Sequence, residues 1–216
     1  MHGVLFDFDG TLAHLNIDFG EMRQAVKRVG VRMGLPGSFL DHKFILEAID
    51  EVVAEMRCTR PEAAEVFARA TAEVIEEVEM RAAVQSHLLP GVEELFANLQ
   101  ARGIAVGIVT RNCRKAVEHI IGGALTPQTI RTREDVKKVK PDPSHLLLAA
   151  ADLGLEAAEV WMVGDHPMDM VAATKAGMRS VGVLTGTSSA DDLMQAGAWK
   201  VIASAANLLE LLPAPI

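Results

Sequence analysis

Asp7 and Asp9 are the first residues of this chain whose type and spacing point to chemistry. They lie in the stretch MHGVLFDFDGTL, at the end of an apolar run over residues 4–8. Such a run reads as a buried strand, and alternation along it places Asp7 and Asp9 on one side with Phe8 opposite. Two carboxylates at the exit of a buried strand are costly without a partner. At about 4 Å and an effective dielectric of ~20, two like charges repel by roughly 4 kcal/mol. A hard divalent cation with oxygen ligands relieves that repulsion. Gly10 permits a sharp turn beyond the strand, and Thr11 adds a hydroxyl beside it.

Two further apolar runs end in polar residues. Residues 104–109 lead into Thr110, Arg111 and Asn112; residues 160–163 lead into Gly164 and Asp165. Asp169 lies one helical turn after Asp165 and can share a face with it. Between the two runs is a basic loop, KKVKPDP, in which Pro141 and Pro143 stiffen the backbone around Lys140. Each of these residues also has a structural reading. Thr110 suits the N-cap of the next helix, Asp169 suits an acidic first turn, and Arg111, Lys137 and Lys138 suit solvated surface charges.

The elements that must position these residues follow from periodicity. Residues 17–85 are helical in pattern. Met22, Ala25, Val26, Val29 and Met33 mark one amphipathic helix, and a second carries Ile45, Ile49, Val52 and Met56. A third runs toward Arg81, with Thr59, Arg60, Pro61 and Glu62 reading as a capping box before it. From residue 86 onward helices alternate with strands. A short strand is expected at residues 129–135, a strand at 178–184, a last one at 199–202, and a terminal helix closed by Pro213. That order predicts an α/β fold, a Rossmann-like parallel sheet with helices on both faces. The core is residues 1–16 and 86–216, and residues 17–85 form an inserted all-helical domain. Ligands of such sheets bind beyond the carboxyl ends of the strands, where all these polar clusters lie.

Composition narrows the partners. The chain has 216 residues, 50% of them hydrophobic, with a net charge of −8, which argues against nucleic-acid binding. An anionic substrate then needs local cations. Cys58 and Cys113 form no disulfide framework and read as packed, reduced thiols of a cytoplasmic protein. The start of the chain lacks the basic region of a signal peptide. No apolar run approaches the ~20 residues that span a bilayer. The oligomeric state is not legible.

The motifs together resemble the haloacid dehalogenase superfamily. DFDGTL is similar to its first motif in the phosphatase form, Thr110 to the second, Lys140 in KPDP to the third, and Gly164, Asp165 and Asp169 to the fourth, G-D-x-x-x-D. The resemblance implies that Asp7 is a nucleophile forming an aspartyl-phosphate. Asp9 then protonates the leaving alcohol and afterwards takes a proton from water. True dehalogenases lack the second aspartate, so Asp9 favours phosphoryl chemistry. Thr110 and the backbone N–H groups of Arg111 and Asn112 would hold phosphoryl oxygens, with Lys140 neutralising charge. Mg²⁺ is the implied cofactor, held by the Asp7 and Asp165 side chains and the Asp9 carbonyl, with Asp169 a ligand or an outer support. His166 replaces a small hydroxyl residue common in relatives.

The implied activity is that of a phosphatase for a small phosphorylated metabolite, phosphoglycolate phosphatase-like with a helical cap. A sugar phosphomutase of the β-phosphoglucomutase type and a regulatory module without turnover are the alternatives. The cap's loop after Leu12 holds His14, Asn16, Asp18 and Arg23, close in sequence to the catalytic strand. Arg23 is a candidate for an acidic substrate tail or simply a surface charge, as are Lys27, Arg28 and His42.

Overall fold

The computed structural model describes residues 1–41 and 44–212. His42 and the closing Pro213 lie outside the described residues. In chain order the elements begin with β1 (Gly3–Phe6), β2 (Ala13–His14), α1 (Phe19–Arg32), α2 (Ile45–Thr59) and α3 (Pro61–Ala83). There follow β3 (His87–Leu88), α4 (Val92–Ala101), β4 (Ala105–Val109), α5 (Arg114–Ile121) and β5 (Thr129–Arg131). The chain continues with α6 (Ser144–Asp152), β6 (Val160–Gly164), α7 (Pro167–Ala176), β7 (Arg179–Val183), α8 (Ala190–Gln195) and β8 (Lys200–Ile202). None of the helices is long and apolar enough to cross a membrane, among the described residues.

The chain divides into two compact units, Met1–Leu15 with Ala83–Ile216, and Asn16–Ala82. In the first, six parallel strands lie in the order β5-β4-β1-β6-β7-β8. The chain builds outward from β1 on one side, then returns to add β6, β7 and β8 on the other. The order therefore reverses at β1, the kind of switch point where α/β sheets bind ligands. Alternation sorts the strand residues between two faces. Val4 and Phe6 of β1 join Leu95 of α4 and Val117 of α5, whereas Leu5 joins Leu146 of α6 and Ala172 of α7. Burying one such side chain contributes about 1.5–3 kcal/mol, so this double-sided apolar pattern fixes the strand register.

The second unit is the three helices α1, α2 and α3. Met22 and Val26 pack with Ile49, Val53, Phe67 and Ile75 around their own core, and Phe39 meets Phe67 edge-on with ring centroids 6.0 Å apart. Asp18 caps α1 by accepting the Glu21 N–H at 2.8 Å.

Several local expectations are corrected. β1 ends at Phe6, not Phe8, because the chain turns tightly there: the Leu12 and Ala13 N–H groups both donate to the Phe8 carbonyl. Thr59 is the last residue of α2 and so does not cap α3; Arg60 alone separates the helices. The terminal helix is a 3₁₀ helix, Ala205–Leu211. Of the cysteines only Cys113 is packed; Cys58 is exposed. The return from the helical unit comes at Ala83 rather than residue 86. The antiparallel pair β2–β3, too short to show alternation in sequence, holds the segments that leave and re-enter the α/β unit.

Candidate active site

Three strand ends and the start of one helix meet at one place. Asp7 follows β1 by one residue, its N–H donating to the Val163 carbonyl of β6 at 2.8 Å. Asp165 directly follows β6, Thr110 follows β4, and Asp169 lies in the first turn of α7. Ligand atoms of Asp7, Asp165 and Asp169 all lie within 4.8 Å of one another. Lys140 reaches them from the KPDP loop. Its Nζ is 2.7 Å from Asp7 Oδ1 and 2.7 Å from Asp169 Oδ1, and the residue is 1% exposed.

Three buried carboxylates thus gather near one ammonium, which pairs with two of them, Asp7 and Asp169. Burial alone would discharge Lys140, but the Asp169 and Asp7 charges outweigh it and hold its pKa above the usual lysine range. Burial pushes the Asp165 carboxyl up to about 8, and repulsion from Asp7 and Asp169 adds to this; the Thr11 hydroxyl, donating to Asp165 Oδ1 at 3.0 Å, and Lys140 act against it. Asp169 is pushed up to about 6 by burial, against the pull of Lys140. The excess of negative charge falls on Asp165.

Asp169 has both oxygens engaged. Oδ1 faces Lys140, and Oδ2 accepts the His166 N–H at 3.1 Å. His166 is the N-cap of α7, its Nδ1 accepting the Met168 N–H at 3.1 Å. Burial holds the His166 pKa below the usual value, against the Asp7 charge, which keeps the imidazole a neutral acceptor. It performs the capping task of a hydroxyl residue. Asp169 therefore serves a helix cap and Lys140 together.

Asp9 points to different partners. Asn112 Nδ2 donates to its Oδ1 at 2.9 Å, and the Thr110 hydroxyl donates to its Oδ2 at 3.3 Å. Thr110 Oγ1 also accepts the Asn112 N–H at 3.0 Å. Two expectations change here. The Asn112 N–H, expected to face a phosphoryl oxygen, is taken by Thr110, while its side chain orients Asp9. The N-cap of α5 is Cys113, not Thr110. Arg111 is also not a free surface charge: it donates to the Lys140 carbonyl at 3.0 Å and touches the Met168 sulfur, tying down the lysine loop. In the helical unit, Arg23 is half-buried and donates to the Leu40 carbonyl, which makes it a helix-to-loop tie.

Gly186, Thr185 and His145 escaped the sequence reading. Gly186, in the loop after β7, lies so close to Asp165 that a Cβ there would sit 1.7 Å from Oδ2. Gly10, at φ +76°, faces the same carboxylate; a Cβ would be 2.6 Å from Oδ2. The Thr185 hydroxyl donates to the Gly10 carbonyl at 2.6 Å. The β7 loop therefore clasps the turn after Asp9 and leaves Asp165 only the space its carboxylate fills. His145, fully buried on α6, places Nε2 3.2 Å from the Arg131 carbonyl, which also accepts the Thr110 N–H at 2.9 Å. The helix that follows the lysine loop is thereby joined to the Thr110 strand end.

A family model for haloacid dehalogenase-like hydrolases matches residues 4–183, which include Asp7, Asp9, Thr110, Lys140, Asp165 and Asp169. The chain belongs to that family. Several of its relatives are phosphatases by name. The N-acetylmuramic acid 6-phosphate phosphatase of Pseudomonas putida is 32% identical over 199 residues, 89% of this chain and 86% of its own. The phosphoglycolate phosphatase of Yersinia pseudotuberculosis is 30% identical over 224 residues, 100% of this chain and 94% of its own. A hydrolase from Pseudomonas syringae has the same fold, with a TM-score of 0.69 at 26% identity over 97% of both chains. This haloacid dehalogenase-like hydrolase carries an acidic cluster at the switch point of its sheet.

The donor set suits a hard cation. It consists of oxygen atoms only, it is buried, and it carries more negative charge than Lys140 balances.

Proposed function

We propose that the protein is a magnesium-dependent phosphatase of small phosphorylated metabolites that works through a phosphorylated Asp7. The supporting observation is the charge imbalance: Lys140 pairs with Asp7 and Asp169, while Asp165 has no ion pair among the described residues and is pushed up to about 8. Asp7 and Asp165 would hold Mg²⁺ with the Asp9 carbonyl, and Asp169 acts from outside by fixing Lys140. When bound, the ion supplies positive charge for the phosphoryl oxygens and the attacking carboxylate.

An Asp7 oxygen attacks phosphorus, forming the acyl-phosphate bond as the ester P–O bond breaks. Asp9 enters this step protonated and gives its proton to the departing alkoxide. The resulting carboxylate then removes a proton from the water that cleaves the acyl phosphate, which returns Asp7 as a carboxylate and releases phosphate. Asn112 and Thr110 keep Asp9 aimed through both steps. Lys140 stabilises the charge that accumulates on the phosphoryl group.

The two named relatives act on phosphate esters of carboxylic acids, phosphoglycolate and N-acetylmuramic acid 6-phosphate. We take phosphorylated carboxylic acids as the first class of substrate to examine. The test is phosphate release from a panel of phosphorylated acids and sugars, with and without Mg²⁺. Release that needs Mg²⁺ and is strongest among the acids supports the reading; release unaffected by chelation rejects it.

A further inference from the structure

The pair β2–β3 brings two histidines face to face. His14 and His87 are directly opposed in the antiparallel register, and their ring centroids are 5.7 Å apart at an interplanar angle of 48°. Both are exposed. Among the described residues neither ring makes a hydrogen bond or ion pair, so the contact between the rings is their one interaction. Both belong to the α/β unit, away from the carboxylates in role: no step proposed above uses them.

Directly opposed side chains in a sheet have Cβ atoms roughly 4.5–5.5 Å apart. A transition-metal ion binds imidazole nitrogen at about 2.0–2.1 Å. Adding the depth of each ring, two imidazoles on one such ion have centroids roughly 5–6 Å apart at tetrahedral to moderately open angles. The observed 5.7 Å lies in that range without movement of the strands. Exposure leaves the remaining coordination positions to water. The donors are borderline nitrogens, so the fitting ion is of the zinc or nickel class and not the hard cation suited to the carboxylates.

We infer that His14 and His87 form a second metal site, a two-histidine clip for a divalent transition-metal cation. Its place in the chain gives it a consequence. β2 lies just before the helical unit and β3 just after it, and each strand is two residues long. A pair that short is marginal by itself. A cation held by one histidine from each strand ties the segment that leaves the α/β unit to the segment that returns.

The test is calorimetric titration of the full chain with zinc chloride in excess magnesium, beside His14→Asn, His87→Asn and, as a control, the exposed His119→Asn. We expect one zinc-binding event in the wild type and the control that weakens by roughly 100-fold when either clip histidine is lost, since the second ligand acts at high effective concentration. Zinc should also raise the Tm of the wild type and the control but not of the two clip variants. Zinc taken up by the carboxylates appears in all of these proteins alike, so a failed phosphatase reading leaves this result interpretable. Should a variant not fold, imidazole NMR signals of the wild type replace it: zinc must shift His14 and His87 together and leave His119 in place. Equal zinc affinity in the wild type and the clip variants, or His14 and His87 signals that zinc does not move, overturns the inference.

Discussion

Two clusters of charge in the α/β unit use the same side chains to opposite ends. Along the β5 edge, Arg131 pairs with Asp152 through two bonds of 2.6 Å, Thr129 adds its hydroxyl, and Arg114 meets Asp135 at 2.7 Å. Positive and negative groups are matched there, and the side chains remain part-exposed. The Arg131 bond holds the Asp152 carboxyl below its usual range, and bonds from Thr132 with the Arg114 charge hold Asp135 down despite its burial. At the strand ends three aspartates face one lysine in near-complete burial, and Asp165 and Asp169 are pushed up instead. A matched cluster lowers the folded state's free energy. An unmatched buried one raises it, and persists where the charge serves a ligand.

The largest effect expected from breaking the unmatched cluster is catalytic. Asp7→Asn removes the proposed nucleophile and should reduce phosphate release by about 10⁴-fold or more, as loss of a covalent nucleophile generally does. Steady-state release under saturating Mg²⁺ measures it, and undiminished turnover would remove Asp7 from the mechanism.

Asp165→Asn separates function from stability within one residue. Its folded pKa of about 8 lies above the ordinary 3.8. Between those values the folded state holds a proton that the unfolded chain has released, so stability falls as pH rises from about 4 to 8. Asparagine has no such slope. In chelator, the variant should exceed the wild type by about 1–3 kcal/mol at pH 8 and show little advantage near pH 4. Its phosphatase rate should still fall by about 10²-fold or more. Urea melts at the two pH values give the first result; a variant less stable than the wild type at pH 8 would mean that the carboxylates are not in conflict.

The sequence was most readable where a polar residue ends an apolar run. Asp7, Thr110 and Asp165 stand at such ends, so the sheet alone converges them, and one turn of helix adds Asp169. Lys140 was readable only by its resemblance to a motif, because nothing local says that its loop folds inward. Gly186 and Thr185 were not readable. They act through a missing side chain and a backbone carbonyl 175 residues away, and neither leaves a periodic or compositional trace. The β2–β3 pair is shorter than any alternation can reveal, and the Asp9 bonds to Asn112 and Thr110 depend on a turn that ends the strand earlier than its apolar run does.

Asp152→Asn is the matched cluster's counterpart to these changes. It should destabilise the protein by about 1–3 kcal/mol at pH 7, the usual cost of losing hydrogen bonds to a charged group, and leave kcat unchanged. Because the folded pKa of Asp152 is lowered, its contribution is present above the ordinary carboxylate pKa and is lost as pH falls through the folded value. The gap between variant and wild type should therefore close in acid, the reverse of the Asp165→Asn pattern. Parallel pH trends for the two would erase the distinction between the clusters.

The smallest effect is expected at His145, which stands in the chain between Lys140 of one cluster and Asp152 of the other. Its Nε2 meets the carbonyl of Arg131, a member of the matched cluster, and its buried Nδ1 has no partner among the described residues. Burial lowers its pKa from 6.5 to about 4, with the Lys140 charge adding to the shift. The unfolded chain thus binds a proton between those values that the folded chain does not, and stability falls as pH drops from about 6.5 to 4. His145→Phe exchanges one hydrogen bond for apolar packing and removes an unsatisfied nitrogen, so at pH 7.5 the net change should stay within about 1 kcal/mol. Below pH 6 the variant should gain on the wild type, a trend that urea melts at pH 5 would reveal. A constant difference across that range would mean that the imidazole is charged or solvated in the folded protein, and that the Arg131 carbonyl is held by Thr110 without its help.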